Sequence, residues 1–339
     1  MLEIKRRESV LIPLSLVLLL FIISILSLRF GSADMSTSEF FSALLSRDGG
    51  TTSVIIYSVR LPRLLAGIVS GVGLALSGVL LQAVTDNPLA SPNVIGVNAG
   101  AGFGVVLSLA VFPSALGIAS YIFLPVFAFA FALLTTLAVL LISNAAGGTR
   151  SSVVLAGVAV TALLNAFISA VNLADTDILA SYNAFSVGGF SGVTYLDLLI
   201  PSVIIIICLS VSMLLSSGIE LLCLGRAVAS SLGVRVGLIR MISIILAAAS
   251  AAAAVSFAGL LGFVGLIVPH IARFLVGHRM RRLIPASALL GASVTVLADH
   301  IGRLIISPSE LPVGIMMALV GAPFFIALLF GKRGDVGAA

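Results

Sequence analysis

In a chain this apolar, the residues able to do chemistry are few and their spacing is easy to follow. Thr161, Asn165, Ser169 and Asn172 recur at intervals of four, four and three, which puts them on one face of an otherwise apolar helix. A polar stripe at membrane depth either hydrogen-bonds a neighbouring helix or lines a wet path. Arg60 and Arg63 flank Leu61-Pro62, and Arg303 stands near the end of a later apolar run. Exposed guanidinium groups there would either remain solvated caps or dock an acidic partner surface, since charge complementarity sets orientation and encounter rate. Asp299 and Arg303 are four apart and can pair on one helical face. His270 suits a proton relay or, beside Arg273, a capping or interface role.

Enzyme chemistry finds little support. Gly189-Phe-Ser-Gly192 matches a short serine-nucleophile motif, but that mechanism needs a histidine within hydrogen-bond reach of Ser191. His270 and His278 are expected near the opposite face of the membrane, and no sequence feature brings His300 to Ser191. There is no Walker-type glycine loop, so this chain is not expected to hydrolyse ATP. Cys208 and Cys223 suggest neither a disulfide framework nor metal-ligand spacing, and no metal site is expected.

The elements that must carry these residues are set by composition. The chain has 339 residues, of which 60% are hydrophobic and 9% charged, against roughly 25% charged in a soluble domain. A membrane helix needs about 20 mostly apolar residues to cross about 30 Å of hydrocarbon. Runs of that kind fall near 10–30, 61–82, 94–112, 119–143, 152–173, 196–216, 237–257, 263–276, 283–305 and 312–331, which predicts an all-α polytopic membrane protein of about ten transmembrane helices. The first run is too long for the apolar part of a signal peptide and is read as a retained helix. The eighth is too short to cross as a straight helix, so irregular backbone buried in protein is expected beside it. Residues 1–339 therefore form one transmembrane domain within the lipid bilayer, and any soluble module must be a separate polypeptide.

With the N-terminus inside, thirteen of the 18 basic residues fall on the inner side, as insertion of membrane proteins favours. Both termini are then cytoplasmic, and the net charge of +5 reports topology rather than nucleic-acid binding. Gly78, Pro88 and Gly96 share their spacing with Gly259, Pro269 and Gly277, which hints at an inverted repeat. Six carboxylates, Asp86, Asp175, Asp177, Asp197, Asp299 and Glu310, all lie at or near predicted helix ends. This argues against the alternative of an ion-coupled secondary transporter, which would carry such a group at mid-membrane.

The order of short motifs is more specific. Arg60-Leu-Pro-Arg63 and Asn87-Pro-Leu-Ala90 come first, then Gly262-Phe-Val-Gly-Leu266, Val268-Pro-His270 and Ala298-Asp299. Glu310-Leu-Pro-Val-Gly314 and Gly321-Ala-Pro-Phe324 close the series. This succession, over nearly the whole chain, resembles the FecCD family of permeases. That resemblance implies the membrane subunit of an ATP-driven importer in the bacterial inner membrane, carrying an iron–siderophore, haem or vitamin B12 by alternating access. It implies pairing with a second permease chain, two cytoplasmic ATPase subunits that hold ATP and Mg, and an extracytoplasmic substrate-binding protein. By motif position the docking arginines would be Arg60, Arg63 and Arg303. The ATPase-coupling loop would be residues 218–236, where Leu224, Gly225, Ala229, Leu232 and Gly233 match the family pattern. Thr161, Asn165, Ser169 and Asn172 would border the substrate path. Phe185-Ser-Val-Gly-Gly-Phe190 departs from the family's usual Trp and Gly-Ser-Leu.

Overall fold

The computed structural model describes residues 2–31, 35–46, 50–112, 118–306 and 309–331. These form helices and turns with no strand among them, as expected of a backbone that must satisfy its own hydrogen bonds in lipid. Seven helices are long and apolar enough to span, and three shorter apolar ones, Val97–Val111, Val264–Val276 and Val313–Ala327, complete the expected ten. The crossings are α1 (Leu2–Arg29), α4 (Leu61–Thr85), α5 (Val97–Val111), α6 (Ile118–Ala145) and α7 (Arg150–Ala174) in the first half. The second half supplies α9 (Tyr195–Leu214), α12 (Val236–Ala258), α13 (Val264–Val276), α14 (Met280–Ile305) and α15 (Val313–Gly331). Between them lie α2 (Thr37–Ser46), α3 (Thr51–Val54), α8 (Thr176–Val187), α10 (Ser216–Leu222) and α11 (Arg226–Ser231).

The centre of the bundle is α4, packed by α12, α13 and α14. Of its span 78% is buried, against 22% for α7, so α4 is the core and α7 a margin. Glycine makes this proximity possible. A Cβ at Gly71 would collide with the Gly291 carbonyl, and one at Gly78 with the Gly265 carbonyl. Small residues that admit close backbone contact are how helices associate without a hydrophobic drive between them.

Before α4 the chain runs through a π-helical turn, Ile55–Arg60. Pro62 has no N–H for the Ser58 carbonyl, and the amide of Leu61 reaches back five residues to the Ile56 carbonyl. Helix α13 spans 13 residues, or about 20 Å at 1.5 Å per residue. It starts after non-helical backbone in which Gly259 and Leu261 are buried, which matches the irregular segment expected beside the eighth run. Phe263 there has φ 65°, and its ring fills the space left by Gly321 of α15.

The spacings expected to mark an inverted repeat do not fall on equivalent structure. Gly78 lies inside α4 whereas Gly259 ends α12, and Pro88 sits in a turn whereas Pro269 is inside α13. The halves correspond at other residues. Helices α4 and α12 end on positive-φ Asp86 and Gly259, and the short helices α5 and α13 follow positive-φ Gly96 and Phe263. Packing keeps that pairing, with α4 against α14 as α12 is against α6, and α5 against α6 as α13 is against α14. Glycine spacing failed as a marker because Gly78 serves helix contact whereas Gly259, its counterpart by spacing, serves chain reversal.

Candidate transport surfaces

At the expected outer end the three arginines are buried, with relative exposures of 5% for Arg60, 8% for Arg63 and 3% for Arg303, which corrects the expectation that they are exposed. Their partners explain why. Arg63 Nε donates to both oxygens of Asp299 at 3.0 Å, and its Nη2 to Asp299 Oδ1 at 2.9 Å. Its Nη1 donates to Glu310 at 2.6 Å. Arg303 Nε lies 3.2 Å from Asp299 Oδ2, so the expected i,i+4 pair is present. The other two donate to the end of α1. Arg60 Nη1 reaches the carbonyls of Leu28 and Arg29 at 2.8 Å each, and Arg303 Nη2 reaches the Ser27 hydroxyl at 2.7 Å and its carbonyl at 3.2 Å. Helix ends leave carbonyls without partners and a negative dipole end, and a guanidinium fork suits both. The cluster therefore ties α1, α4 and α14 together. The sequence spacing revealed Asp299–Arg303 but not Arg63–Asp299, whose partners are far apart in the chain.

Glu310 belongs to the turn joining α14 to α15, and the other residues of its motif hold that turn. The Leu311 amide donates to the Gly302 carbonyl at 3.0 Å, and that of Gly314 to the Gly188 carbonyl at 3.2 Å. The segment that departs from the family pattern is fixed by backbone, with the Leu260 amide on the Phe185 carbonyl at 3.2 Å and the Gly189 amide on the Ala258 carbonyl at 2.9 Å. Between these strands of chain opens a recess of about 650 Å³ lined by Arg63, Glu310, Asn183, Phe185 and Phe257. Ser191 also borders it, and none of the described histidines hydrogen-bonds Ser191.

On α7 the polar series faces one way. Asn165 and Ser169 are exposed in the single chain, and Thr161 and Asn172 are half-buried. Thr161 lies against Gly96 of the α5 entry, and its hydroxyl, like Asn172 Oδ1, has no hydrogen-bond partner. Adjoining α8 buries none of its residues. The two unpaired atoms are buried, and the exposed surface of α7 also carries Leu155, Val158, Leu163, Phe167 and Leu173.

At the expected inner end, α10 and α11 are two short helices with Gly225 between them and Gly233 after them. Gly225 has φ 97° and Gly233 φ 81°, and a Cβ at either would meet nothing, so glycine is there for conformation and not for space. Ala229 is fully buried and anchors the loop, while Leu224 and Leu232 are exposed. Val228 of α11 is exposed as well. Beside the loop lies a groove of about 830 Å³, bordered by Gln82, Asp86, Cys223, Leu224, His270 and Arg273. Desolvation pushes the Cys223 thiol up, with Asp86 and Glu220 adding to the shift and Arg273 opposing it, which disfavours its thiolate. His270 stacks edge-on to Phe324 at 6.2 Å, an interface contact between α13 and α15. No group of three metal-ligating side chains occurs among the described residues.

The chain as a whole is similar to known transport proteins. The Fe(3+)-citrate import system permease protein YfmD of Bacillus subtilis is 36% identical over 328 residues, covering 96% of each chain. The ferric enterobactin transport system permease protein FepD of Escherichia coli is 35% identical over 319 residues, covering 94% of each. A solved structure of a metal-chelate type ABC transporter in an inward-facing conformation superposes with a TM-score of 0.83 at 32% identity, covering 94% of this chain and 99% of that one. The model of the FecCD transport family matches residues 18–331, and the chain belongs to that family.

Proposed function

We propose that this permease subunit of an ABC importer carries a ferric chelate inward, along a path bordered by the polar face of α7 and the unburied helix α8. The observation that carries the reading is the one-faced polar series of exposed Asn165 and Ser169 with half-buried Thr161 and Asn172, in a chain whose relatives import ferric citrate and ferric enterobactin. A lining without fixed charge lets a bulky chelate pass without being held. Iron chelates are preferred to haem or vitamin B12 because the named relatives handle iron.

Transport needs partners that this chain does not contain. A second permease copy or paralogue would close the α7 margin. Cytoplasmic ATPase subunits, holding ATP and Mg, would bear on the ridge of Leu224, Val228 and Leu232, with Gly225 and Gly233 setting its shape and Ala229 anchoring it. An extracytoplasmic binding protein would sit over the outer recess. There Arg60, Arg63 and Arg303 act by holding the rim, with Glu310 its partly exposed edge. In this arrangement the subunit lies in the bacterial inner membrane with both termini cytoplasmic.

The test is uptake of radiolabelled ferric citrate and ferric enterobactin by proteoliposomes of the assembled transporter. Uptake is expected only with ATP on the ATPase side. Uptake driven by an ion gradient without ATP would refute the proposal.

A further inference from the structure

The inner groove holds an arrangement that the coupling loop alone does not explain. Gln82 sits in α4 one turn beyond Gly78 and is 3% exposed. Its side chain is used at both ends. The amide nitrogen donates to the carbonyls of Gly265 and Leu266 at 3.3 and 3.4 Å, and the amide oxygen accepts from Arg273 Nη1 at 2.6 Å. Gly265 and Leu266 lie in the first turn of α13, and Arg273 in its last.

The first of these bonds answers a defect in α13. In a regular helix the Gly265 carbonyl accepts from the amide four residues on, and that residue is Pro269, which has none. A buried carbonyl with no partner is costly in a membrane protein. Gln82 supplies the missing donor from another helix, and the contact is reachable only because Gly78 lets α4 lie against Gly265. Helix α13 thus depends on α4 for a hydrogen bond that its own sequence has removed.

The second bond points at the inner surface. Gln82, Arg273, Cys223 and Leu224 border the same groove, and Cys223 Sγ approaches the carbonyl of Ala83, the residue after Gln82, at 3.9 Å. We infer that Gln82 is a positioning residue for coupled transport. It fixes both ends of α13 to α4 where α4 meets the loop at Cys223 and Leu224, so that a displacement of the loop moves α4 and α13 together. This rests on the reading of residues 218–236 as the ATPase contact.

The two arms can be separated. Gln82→Glu keeps an acceptor for Arg273 and loses the donor to Gly265, and Pro269→Ala returns an internal N–H to that carbonyl. In proteoliposomes of the assembled transporter, Gln82→Glu is expected to lower the ferric citrate or ferric enterobactin carried per ATP hydrolysed by about tenfold, with the ATPase still bound. The double variant Gln82→Glu with Pro269→Ala is expected to recover most of that ratio. Arg273→Gln leaves the Gly265 contact in place, and it should lower the ratio as well, which keeps the test open if Gln82 variants fail to fold. An unchanged ratio in Gln82→Glu and Arg273→Gln, with normal assembly, overturns the positioning role. Failure of any ATPase to co-purify with the native chain would instead remove the coupling-loop reading beneath it.

Discussion

Asp299 is the residue on which the outer cluster turns. It receives Arg63 from α4 and Arg303 from its own helix while only 3% exposed. Removing one partner from a buried ion pair leaves an uncompensated charge and costs about 3–5 kcal/mol. Arg63→Ala and Asp299→Ala should each lower the denaturation midpoint of the detergent-solubilised chain, and the double variant should lose less than the sum. Additive losses would show that the two do not act as a pair. A charge reversal at Arg60 would remove a cap of α1 as well as alter the rim, so loss of uptake in that variant alone does not identify a docking contact. At this scale the sequence displayed the residue types but not their partners. Arg60 and Arg63 stood out on a side poor in basic residues, yet whether such groups face solvent depends on acids and helix ends that only folding brings near. Asp299 and Glu310, on the same side, were the available sign that the arginines had internal uses.

Among the elements, glycine separates two kinds of position. Gly78→Val should prevent α4 from meeting α13, since the added carbon falls on a backbone carbonyl that has no rotamer to change. A loss of about 1–3 kcal/mol or more is expected, read as lower thermal stability in detergent. Gly225→Ala faces open space and should instead cost about 1–3 kcal/mol of backbone strain in the coupling loop alone, weakening ATPase co-purification with little change in thermal stability. Equal effects in both assays for both variants would undo this distinction. All ten crossings were legible because each is an apolar run with punctuated ends. Helix α8 was not, for it buries nothing and its 12 residues are short and mixed in polarity. One mark of it was present, since Asp175 caps its start by accepting from the amides of Asp177 and Ile178 at 2.9 and 3.1 Å.

For the whole molecule, a buried α4 and an open α7 leave one flank of the single chain uncovered, and the proposed path runs along that flank. Cysteines placed at Asn165 and Ser169, with Cys208 and Cys223 replaced by serine, should react with a charged, water-soluble maleimide in at least one nucleotide state of the transporter. A cysteine at Leu18 on the exposed side of α1 should remain silent, being in lipid. Absence of labelling at both α7 positions in every state would deny that the face is wet. The polar stripe was readable from spacing alone, whereas what covers it is a matter of partners that the spacing does not name.

The missing amide of Pro269 has a consequence for how the protein is made. A helix of 13 residues that begins with an unpaired carbonyl is a poor candidate to enter lipid unaided. Its donor, Gln82, belongs to the second crossing, which leaves the ribosome well before the eighth. Synthesis thus delivers the partner ahead of the segment that needs it, so the donor for the Gly265 carbonyl already exists when α13 emerges.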